Sequence, residues 1–220
     1  MKNIAIIPAR GGSKRLPNKN ILLLDSIPLL AHSILYAQKN LNIIDTVFVS
    51  TENEKIKEIA LQYGAKVIYR PRELAGDLES TVSALQHCLQ AINDTEIDNV
   101  ILLQPTNPLR PESLLQEAYE TYQKNKCDSL FTVTRNHQKL GKINNDKFIP
   151  LNYKIGQRSQ DIEPLFFENG LLYITNSKSI KKGEIITENA FPFITNHIFT
   201  QVDIDTKEDF DYAEYLYKNL

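Results

Sequence analysis

Short apolar segments alternate with helical patterns along most of this chain, and this alternation restricts the fold more than any other feature. The apolar segments are Ile4–Ile7 and residues 45–50, 65–69, 99–103 and 129–134. Apolar residues at helical spacing lie between them, over 28–38, 82–92 and 114–122. The alternation predicts right-handed βαβ units on a mostly parallel sheet. Further strands are expected at 170–175 and near 199–204, before a helix that Thr206 and Asp209 cap.

The alternation stops over residues 136–168, which are polar, contain short strand-like pieces such as 148–151 and show no long helical pattern. We interpret this stretch as an arm inserted in a single domain spanning residues 1–220, a length typical of one domain. The arm is expected to hold a small antiparallel unit. Its residues alone fit a subunit contact and a plain surface excursion equally well.

The first apolar segment ends at Pro8, which cannot donate to a sheet ladder, and leads into a cationic loop. Residues 9–20 contain the adjacent glycines Gly11 and Gly12 and no acid. The same loop holds four cations: Arg10, Lys14, Arg15 and Lys19. Glycine lets the backbone approach a ligand closely, and successive exposed N–H groups form a concavity that binds anions. The loop is therefore predicted to hold a polyphosphate, with a solvated basic turn as the alternative.

Neither of the best-known phosphate-binding patterns fits this loop. Walker A requires Gly-Lys-Ser/Thr at its end, but Gly12 is followed by Ser13. The dinucleotide pattern G-x-G-x-x-G fails because Gly11 and Gly12 are adjacent and no third glycine follows. The formal net charge is only −2, so the loop cations are a local concentration rather than a broad basic face. This favours a small anionic ligand, and we expect no nucleic acid partner.

Polar side chains also follow other predicted strands. Arg70 follows the third strand, with Ser80 and Thr81 later in the same loop, and Gln104 and Thr106 follow the fourth. Ligands of open parallel sheets bind beyond the carboxyl ends of the strands. We therefore expect these side chains to meet the opening loop in one cleft.

Asp203 and Asp205 form a second chemical feature near the end of the chain. Alternate side chains of an extended segment point the same way, so two carboxylates at this spacing can bind one hard cation. Mg²⁺ is usually held by one or two carboxylates together with substrate phosphates. Taken alone, the pair fits a metal site and a capping role for Asp205, at the helix that begins at Thr206, equally well. Combined with a cationic phosphate loop, the pair indicates a magnesium site.

Cys88 and Cys127 lack metal-binding spacing, and we interpret them as reduced, buried thiols. Reduced thiols favour a cytoplasmic location. No apolar run approaches about 18 residues, so no membrane span is expected. The chain enters a strand directly after Lys2, so no signal peptide is expected.

Five ordered motifs resemble those of the acylneuraminate (CMP-sialic acid) cytidylyltransferases. The opening one resembles I-x-P-A-R-x-x-S-K-x-L-P-x-K-N, and the fourth-strand one resembles L-Q-P-T-S-P-L-R with Asn107 in place of Ser. The others resemble R-P-x-x-L-A-x-D, R-x-Q-D … N-G and D-I-D-x-x-x-D-F. The five occupy residues 6–20, 70–77, 103–110, 158–170 and 203–210. The resemblance implies a three-layer α/β/α nucleotidyltransferase (Rossmann-like) fold, and we expect a homodimer that uses the inserted arm for dimerisation.

The resemblance also implies roles for matching residues. CTP would contact Arg10, Ser13, Asn20, Arg70, Ser80 and Thr81, while Asp203 and Asp205 would hold Mg²⁺. The acidic nine-carbon sugar would contact Gln104, Arg158, Gln160 and Asn169. The catalytic set would be Arg10, Lys14, Lys19 and Asp205. One departure concerns the sugar: Ser159 stands where some members have a second arginine.

Three functions remain open on these residues. The expected activity joins CTP to a sialic, legionaminic or pseudaminic type of acid, and the sequence does not select among them. CMP-Kdo synthetase is the nearest alternative, although the terminal Lys19-Asn20 and Gln160-Asp161 favour nine-carbon acids. A non-catalytic nucleotide-binding module on the same fold is the other alternative. The presence of both aspartates, Asp203 and Asp205, and of both loop lysines, Lys14 and Lys19, disfavours it.

Overall fold

A computed structural model describes residues 1–219. The strands are β1 (Lys2–Pro8), β2 (Leu23–Leu24), β3 (Ile27–Pro28), β4 (Thr46–Thr51), β5 (Lys66–Tyr69), β6 (Ile97–Leu102), β7 (Ser129–Asn136), β8 (Gly141–Asn144), β9 (Lys147–Pro150), β10 (Leu165–Asn176) and β11 (Ala190–Ile194). The α-helices are α1 (Leu29–Gln38), α2 (Glu54–Gln62), α3 (Thr81–Ile92), α4 (Leu114–Asn125), α5 (Ser177–Lys182) and α6 (Lys207–Lys218). Short 3₁₀ turns cover Lys19–Ile21, Arg72–Ala75, Ser159–Asp161 and Ile198–Gln201.

Seven strands form one sheet in the order β11-β7-β10-β6-β1-β4-β5. All neighbouring pairs are parallel except those of β10, which runs antiparallel to both β6 and β7. The prediction of a mostly parallel sheet is confirmed. Because β1 lies between β6 and β4, the loop that follows it stands between the loops that follow its neighbours.

The helices cover both faces of this sheet. Ile4 and Ile6 of β1 are buried in a cluster with Leu85 of α3, whereas Ile7 is buried in a second cluster with Leu30 of α1. Successive side chains of a strand point to opposite faces, so a run without polar residues is expected where both faces are covered. The three-layer α/β/α arrangement is therefore confirmed.

The prediction of a strand near residues 199–204 is wrong. Ile198–Gln201 forms a 3₁₀ turn, and the amide of Ile204 donates to the carbonyl of Thr106 at 2.8 Å, in the loop after β6. The outer strand of the sheet is β11 instead, paired only with β7 among the described strands. Pro192 lies inside β11 and obscures it in the sequence, but a proline is tolerated on an edge strand because one side needs no amide donor.

The inserted arm contains the expected antiparallel unit, formed by β8 and β9. Asn145 and Asp146 connect the two strands with φ angles of 49° and 58°. Two residues with positive φ characterise a type I′ hairpin turn, which asparagine and aspartate tolerate better than most residues. Both strands of this hairpin are largely exposed.

Both cysteines are free and buried, as expected. Burial raises the pKa of the Cys88 thiol to about 11. Among the described residues, the helices are all too short or too polar to cross a membrane.

A capping box begins α6, as the sequence predicts. Asp209 Oδ2 accepts hydrogen bonds from the amides of Thr206 at 2.8 Å and Asp205 at 3.0 Å, and Thr206 Oγ1 accepts from the Asp209 amide. Partial desolvation raises the pKa of Asp209, but these bonds to its charged form outweigh it and leave the pKa below its ordinary value. The cap belongs to Thr206 and Asp209, so the Asp205 carboxylate is not used for it.

We expect Asp209→Ala to lower the free energy of unfolding near neutral pH by about 1 kcal/mol, because it removes the carboxylate half of the capping box while Thr206 still accepts from the amide of residue 209. A depressed folded pKa stabilises the protein above the unfolded pKa of about 3.9, and this contribution is lost as the pH falls through the folded pKa. Urea denaturation curves of variant and wild type should therefore converge in acid. Asp211→Ala is the control, since Asp211 pairs with Lys207 on the exposed face of the same helix. An equal loss in both variants would contradict the capping role.

Candidate functional site

A cleft of about 510 Å³ opens at the carboxyl ends of β1, β5 and β6. This size is typical of small-ligand sites, and the position is the one expected for an open parallel sheet. Its lining includes ten of the predicted site residues: Arg10, Ser13, Lys14, Lys19, Asn20, Arg70, Ser80, Thr81, Gln104 and Asp205. Segments far apart in the sequence thus meet in one place.

Asp77 pairs with the first two cations of the opening loop. Its carboxylate lies 3.1 Å from Arg10 Nη1 and 2.5 Å from Lys14 Nζ. The hydrogen bond from Lys14, and the charge of Arg10, hold the pKa of Asp77 below its usual range. Arg10 also donates to the carbonyl of Gly76 at 2.9 Å, so the loop after β5 closes over the loop after β1.

Asp205 pairs with the other two cations. Its Oδ1 lies 2.8 Å from Lys19 Nζ, and its Oδ2 pairs with Arg15. Only 11% of the Lys19 side chain is exposed, and its ammonium also donates to the carbonyl of Ile204 at 2.8 Å. Lys19 is therefore held rigidly against the D-I-D segment, whereas the Arg15 side chain is mostly exposed.

The loop after β6 fixes the D-I-D segment in place. Asn107 is buried, and its Nδ2 donates to the carbonyl of Val202 at 2.8 Å, while Thr106 accepts from the amide of Ile204. Asn107 stands where the resembling motif has serine. Its longer side chain reaches the segment that presents Asp205.

The backbone of the opening loop is held by the side-chain amide of Asn20 and the carboxylate of Glu52. Asn20 is buried and donates through Nδ2 to the carbonyl of Arg10 at 2.8 Å. The amide of Gly11 donates to Glu52 Oε1 at 2.6 Å. Gly11 also packs on Asn53, because an added β-carbon would lie 2.5 Å from Asn53 Nδ2. Gly12 faces open space, so the two adjacent glycines are not equivalent.

Arg70 is a buried cation in the wall of the cleft. Its side chain is 6% exposed, and its Nη2 lies 3.5 Å from Glu52 Oε2. Burial lowers the pKa of Arg70, an effect that the Glu52 carboxylate opposes. Arg70 Nε and Nη2 and Glu52 Oε2 have no hydrogen-bond partner in the described chain. A buried guanidinium with free donors beside a cleft is suited to a polar ligand.

Ser80, Thr81 and Gln104 border the cleft from two further elements. Ser80 caps α3 and Thr81 is its first residue. The carbonyl of Gln104 accepts from Arg110 Nη2 at 2.9 Å. Arg110 is buried without a carboxylate contact among residues 1–219, and this burial lowers its pKa to about 10. Arg110 thus anchors the backbone that carries the Gln104 side chain.

Three predicted sugar contacts are not brought into the cleft. Arg158 and Gln160 are exposed on the arm, where Arg158 Nε pairs with Asp161 at 2.7 Å. Asn169 is buried in the sheet, where its Oδ1 accepts from Thr132 and its Nδ2 donates to Thr134 at 2.9 Å. Both ends of the Asn169 amide are hydrogen-bonded to threonines of β7, so the side chain links β10 to β7 in this structure.

Asp203 lies beside the cleft rather than in its lining. Desolvation raises the pKa of the Asp203 carboxylate, and the nearby charge of Asp205 raises it further. A hydrogen bond from the Thr106 hydroxyl opposes both effects. Two close carboxylates provide the oxygen donors that a hard divalent cation prefers. No cluster of three or more His, Cys, Asp or Glu side chains suited to a metal occurs in residues 1–219. Mg²⁺ would need other ligands besides these two, such as water and phosphate oxygens.

Sequence reasoning missed two acids of the site. Glu52 follows β4 as Arg10 follows β1 and Arg70 follows β5, so the strand-end rule could have found it. Asp77 ends the R-P-x-x-L-A-x-D motif, and no local signal shows that its partners lie more than sixty residues earlier.

Comparison with known proteins decides the family. A family model described as "Cytidylyltransferase" matches residues 4–220. The chain belongs to the cytidylyltransferase family. Like the named relatives in this family, it is a nucleotidyltransferase, and the resemblance drawn from the sequence motifs is confirmed.

Individual relatives of this cytidylyltransferase cover nearly all of it. The pseudaminic acid cytidylyltransferase of Campylobacter jejuni is 34% identical over 227 residues, spanning 99% of this chain and 97% of that protein. The N-acylneuraminate cytidylyltransferase of Streptococcus agalactiae is 34% identical over 218 residues, spanning 96% of this chain and 52% of that protein. The solved structure of CMP:2-keto-3-deoxy-manno-octonic acid synthetase complexed with CTP covers 99% of both chains with a TM-score of 0.77 and 17% identity, which shows a shared fold.

The two glycines of the loop give a matched pair of substitutions. We expect Gly11→Ala to lower the free energy of unfolding by about 1–3 kcal/mol, because the new methyl group overlaps Asn53. Gly12→Ala should change it by less than about 0.5 kcal/mol, since nothing lies within reach of that methyl. Urea denaturation measures both values. Equal effects at the two positions would contradict the loop packing described.

Proposed function

We propose that this cytidylyltransferase transfers CMP from CTP to a nine-carbon 2-keto-3-deoxy sugar acid of the sialic, legionaminic or pseudaminic type. The products are the CMP-sugar and pyrophosphate. The observation that carries the proposal is the cleft in which Arg10, Lys14, Arg15 and Lys19 face carboxylates from two distant segments. The acids named for the relatives, pseudaminic acid and N-acylneuraminate, support the class of sugar.

The cleft lining includes all of the residues proposed to contact CTP, but only Gln104 of those proposed to contact the sugar. The triphosphate would lie along the opening loop, where Arg10, Lys14 and Lys19 supply positive charge and Ser13 a hydroxyl. Asn20, Arg70, Ser80 and Thr81 would contact the rest of CTP. Arg70 supports this assignment because its cationic side chain lines the same cleft.

In the proposed reaction, the C2 hydroxyl oxygen of the sugar attacks the α-phosphorus of CTP. A new oxygen–phosphorus bond forms, the bond from the α-phosphorus to the bridging oxygen breaks, and pyrophosphate leaves with the electron pair. Negative charge grows on the phosphoryl oxygens and on the leaving group. Preorganised cations stabilise such charge most when they are already fixed in place, as Lys19 is.

We propose that Asp203 and Asp205 hold Mg²⁺, which would supply charge neutralisation at the phosphates when bound. The spacing of the two residues supports this, because Asp203 and Asp205 are alternate residues and carboxylate oxygens are donors that Mg²⁺ prefers. Asp205 already contacts Lys19, so the carboxylate also keeps this ammonium beside the reacting phosphates. Either Asp203 or Asp205 would orient or deprotonate the attacking sugar hydroxyl.

Sugar recognition involves Gln104, which lines the cleft beside Asp205. Arg158 and Gln160 are carried by the arm, so their contact with the sugar depends on where the arm packs in the assembled enzyme. With Ser159 between them, Arg158 is the arginine of this motif available for the sugar carboxylate.

We also propose a homodimer formed through the arm 136–168 on a single nucleotidyltransferase unit, located in the cytoplasm. Large apolar side chains of the arm are exposed, among them Ile143 at 79%, Phe148 at 52% and Ile155 at 84%. Clustered exposed apolar residues mark interaction surfaces more often than isolated ones do. The two buried, free thiols support a reducing compartment.

Pyrophosphate release from CTP tests this function, with a panel of sialic, legionaminic, pseudaminic and Kdo acids in the presence of Mg²⁺. We expect turnover with at least one nine-carbon acid and loss of turnover on chelation with EDTA. Turnover with Kdo alone would replace the proposal by CMP-Kdo synthesis. CTP binding without release for every acid would support a non-catalytic nucleotide-binding module instead.

Lys19→Ala should lower kcat by about 100-fold or more, because it removes a fixed cation from the developing charge. Lys39→Ala is the matched control, since Lys39 makes a similar ion pair with Glu112 outside the cleft. Steady-state kinetics measure both variants, with circular dichroism to confirm folding. A folded Lys19 variant with normal turnover would remove this residue from the mechanism.

Ile143→Glu should weaken dimerisation by about 30-fold or more, because it buries a charge in an apolar contact. Leu61→Glu serves as the control, since Leu61 is 54% exposed on α2, away from the arm. Light scattering during size-exclusion chromatography gives the molar mass of each. A monomeric wild type, or an unaltered dimer in the Ile143 variant, would contradict an interface through this part of the arm.

A further inference from the structure

Glu52 stands between the two loops of the nucleotide site and has no assigned role. Its side chain is 15% exposed and follows the end of β4. Oε1 accepts the amide hydrogen of Gly11 at 2.6 Å, and Oε2 lies 3.5 Å from Nη2 of Arg70. One carboxylate thus contacts the phosphate loop with one oxygen and the buried guanidinium with the other.

Glu52 is the countercharge of Arg70 in the described chain. The Arg70 side chain is 6% exposed, and within residues 1–219 it forms its ion pair with Glu52. Arg10 is also close enough to act on Arg70 as a like charge. A buried charge that loses its partner is strongly destabilised, so the position of the guanidinium depends on the Glu52 carboxylate.

A purely helical role for Glu52 does not fit these contacts. Asn53 caps α2, with its Oδ1 accepting from the Ile56 amide at 3.1 Å. The Glu52 carboxylate points the other way, to Gly11 and Arg70. Its contacts therefore belong to the cleft rather than to the helix that follows it.

We infer that Glu52 is a positioning residue for CTP: it holds the Gly11 backbone and keeps the Arg70 guanidinium fixed at the wall of the cleft. This inference rests on the proposed function, because it assumes that Arg70 and the opening loop bind CTP. The sugar acid is expected to be unaffected, since Gln104 and Asp205 do not contact Glu52. The predicted signature is therefore a selective effect on the nucleotide.

Steady-state kinetics of Glu52→Gln test the inference. Glutamine still accepts from Gly11 but carries no charge for Arg70, so we expect the KM for CTP to rise by about tenfold or more. The KM for the sugar acid should stay within about twofold. Glu54→Gln is the matched control: Glu54 is exposed, pairs with Lys57 on the first turn of α2, and should leave both values unchanged.

The KM values distinguish failure of the positioning role of Glu52 from failure of the proposed function. An active wild type with an unchanged KM for CTP in the Glu52 variant overturns this role and leaves the proposed function standing. A wild type that does not consume CTP overturns both. A rise in both KM values by the same factor indicates general loosening of the cleft and overturns the positioning role.

Glu52→Asp covers the case in which Glu52→Gln does not fold. Aspartate keeps the charge but is one methylene shorter, so it cannot span Gly11 and Arg70 as glutamate does. We expect the same selective rise in the KM for CTP, together with a smaller CTP-induced increase in the melting temperature. Wild-type values of both quantities in this variant would overturn the inference.

Discussion

The arrangement of this cytidylyltransferase depends on the neutralisation of one cationic loop by acids that come from elsewhere in the chain. Arg10, Lys14, Arg15 and Lys19 lie within ten residues and repel one another. Asp77 pairs with two of them and Asp205 with the other two. Neighbouring charges interact at about 1 kcal/mol in water and more strongly when partly buried. The loop can therefore remain densely cationic because the fold supplies both carboxylates.

The sheet order explains how these carboxylates arrive. With β1 between β6 and β4, the loop after β1 is flanked by the loops that follow its neighbours, and β5 extends this row. The loop after β6 then holds the D-I-D segment through Thr106 and Asn107. Asp209 fixes the same segment from the other side by capping α6. Asp205 is thus placed by hydrogen bonds to the backbone on both sides, and its carboxylate, which the cap does not use, pairs with the loop cations.

Much of this could be predicted from the sequence, because strand–helix alternation and strand-end loops are local features. The sheet, both helical layers and the cleft residues in the loops after β1, β5 and β6 follow from them, whereas Asp205 is indicated by its spacing to Asp203 and by the family resemblance. What could not be predicted is set by tertiary pairing. Pro192 interrupts the strand pattern of β11, so this edge strand is not evident from the sequence. Asn169 forms hydrogen bonds with two threonines of β7, and no local pattern indicates these contacts. Asp77 and Glu52 lie far in sequence from the cations they contact, so only the folded chain assigns their partners.

Calorimetric titration with CTP and CMP tests the central claim most directly, namely that the opening loop is a triphosphate site closed by distant carboxylates. The wild type should bind CTP about 100-fold or more tightly than CMP, a difference of about 3 kcal/mol from the loop cations. This preference should shrink in a variant that lacks both Lys14 and Lys19, while CMP affinity changes little. Equal affinities of the wild type for CTP and CMP would contradict the account.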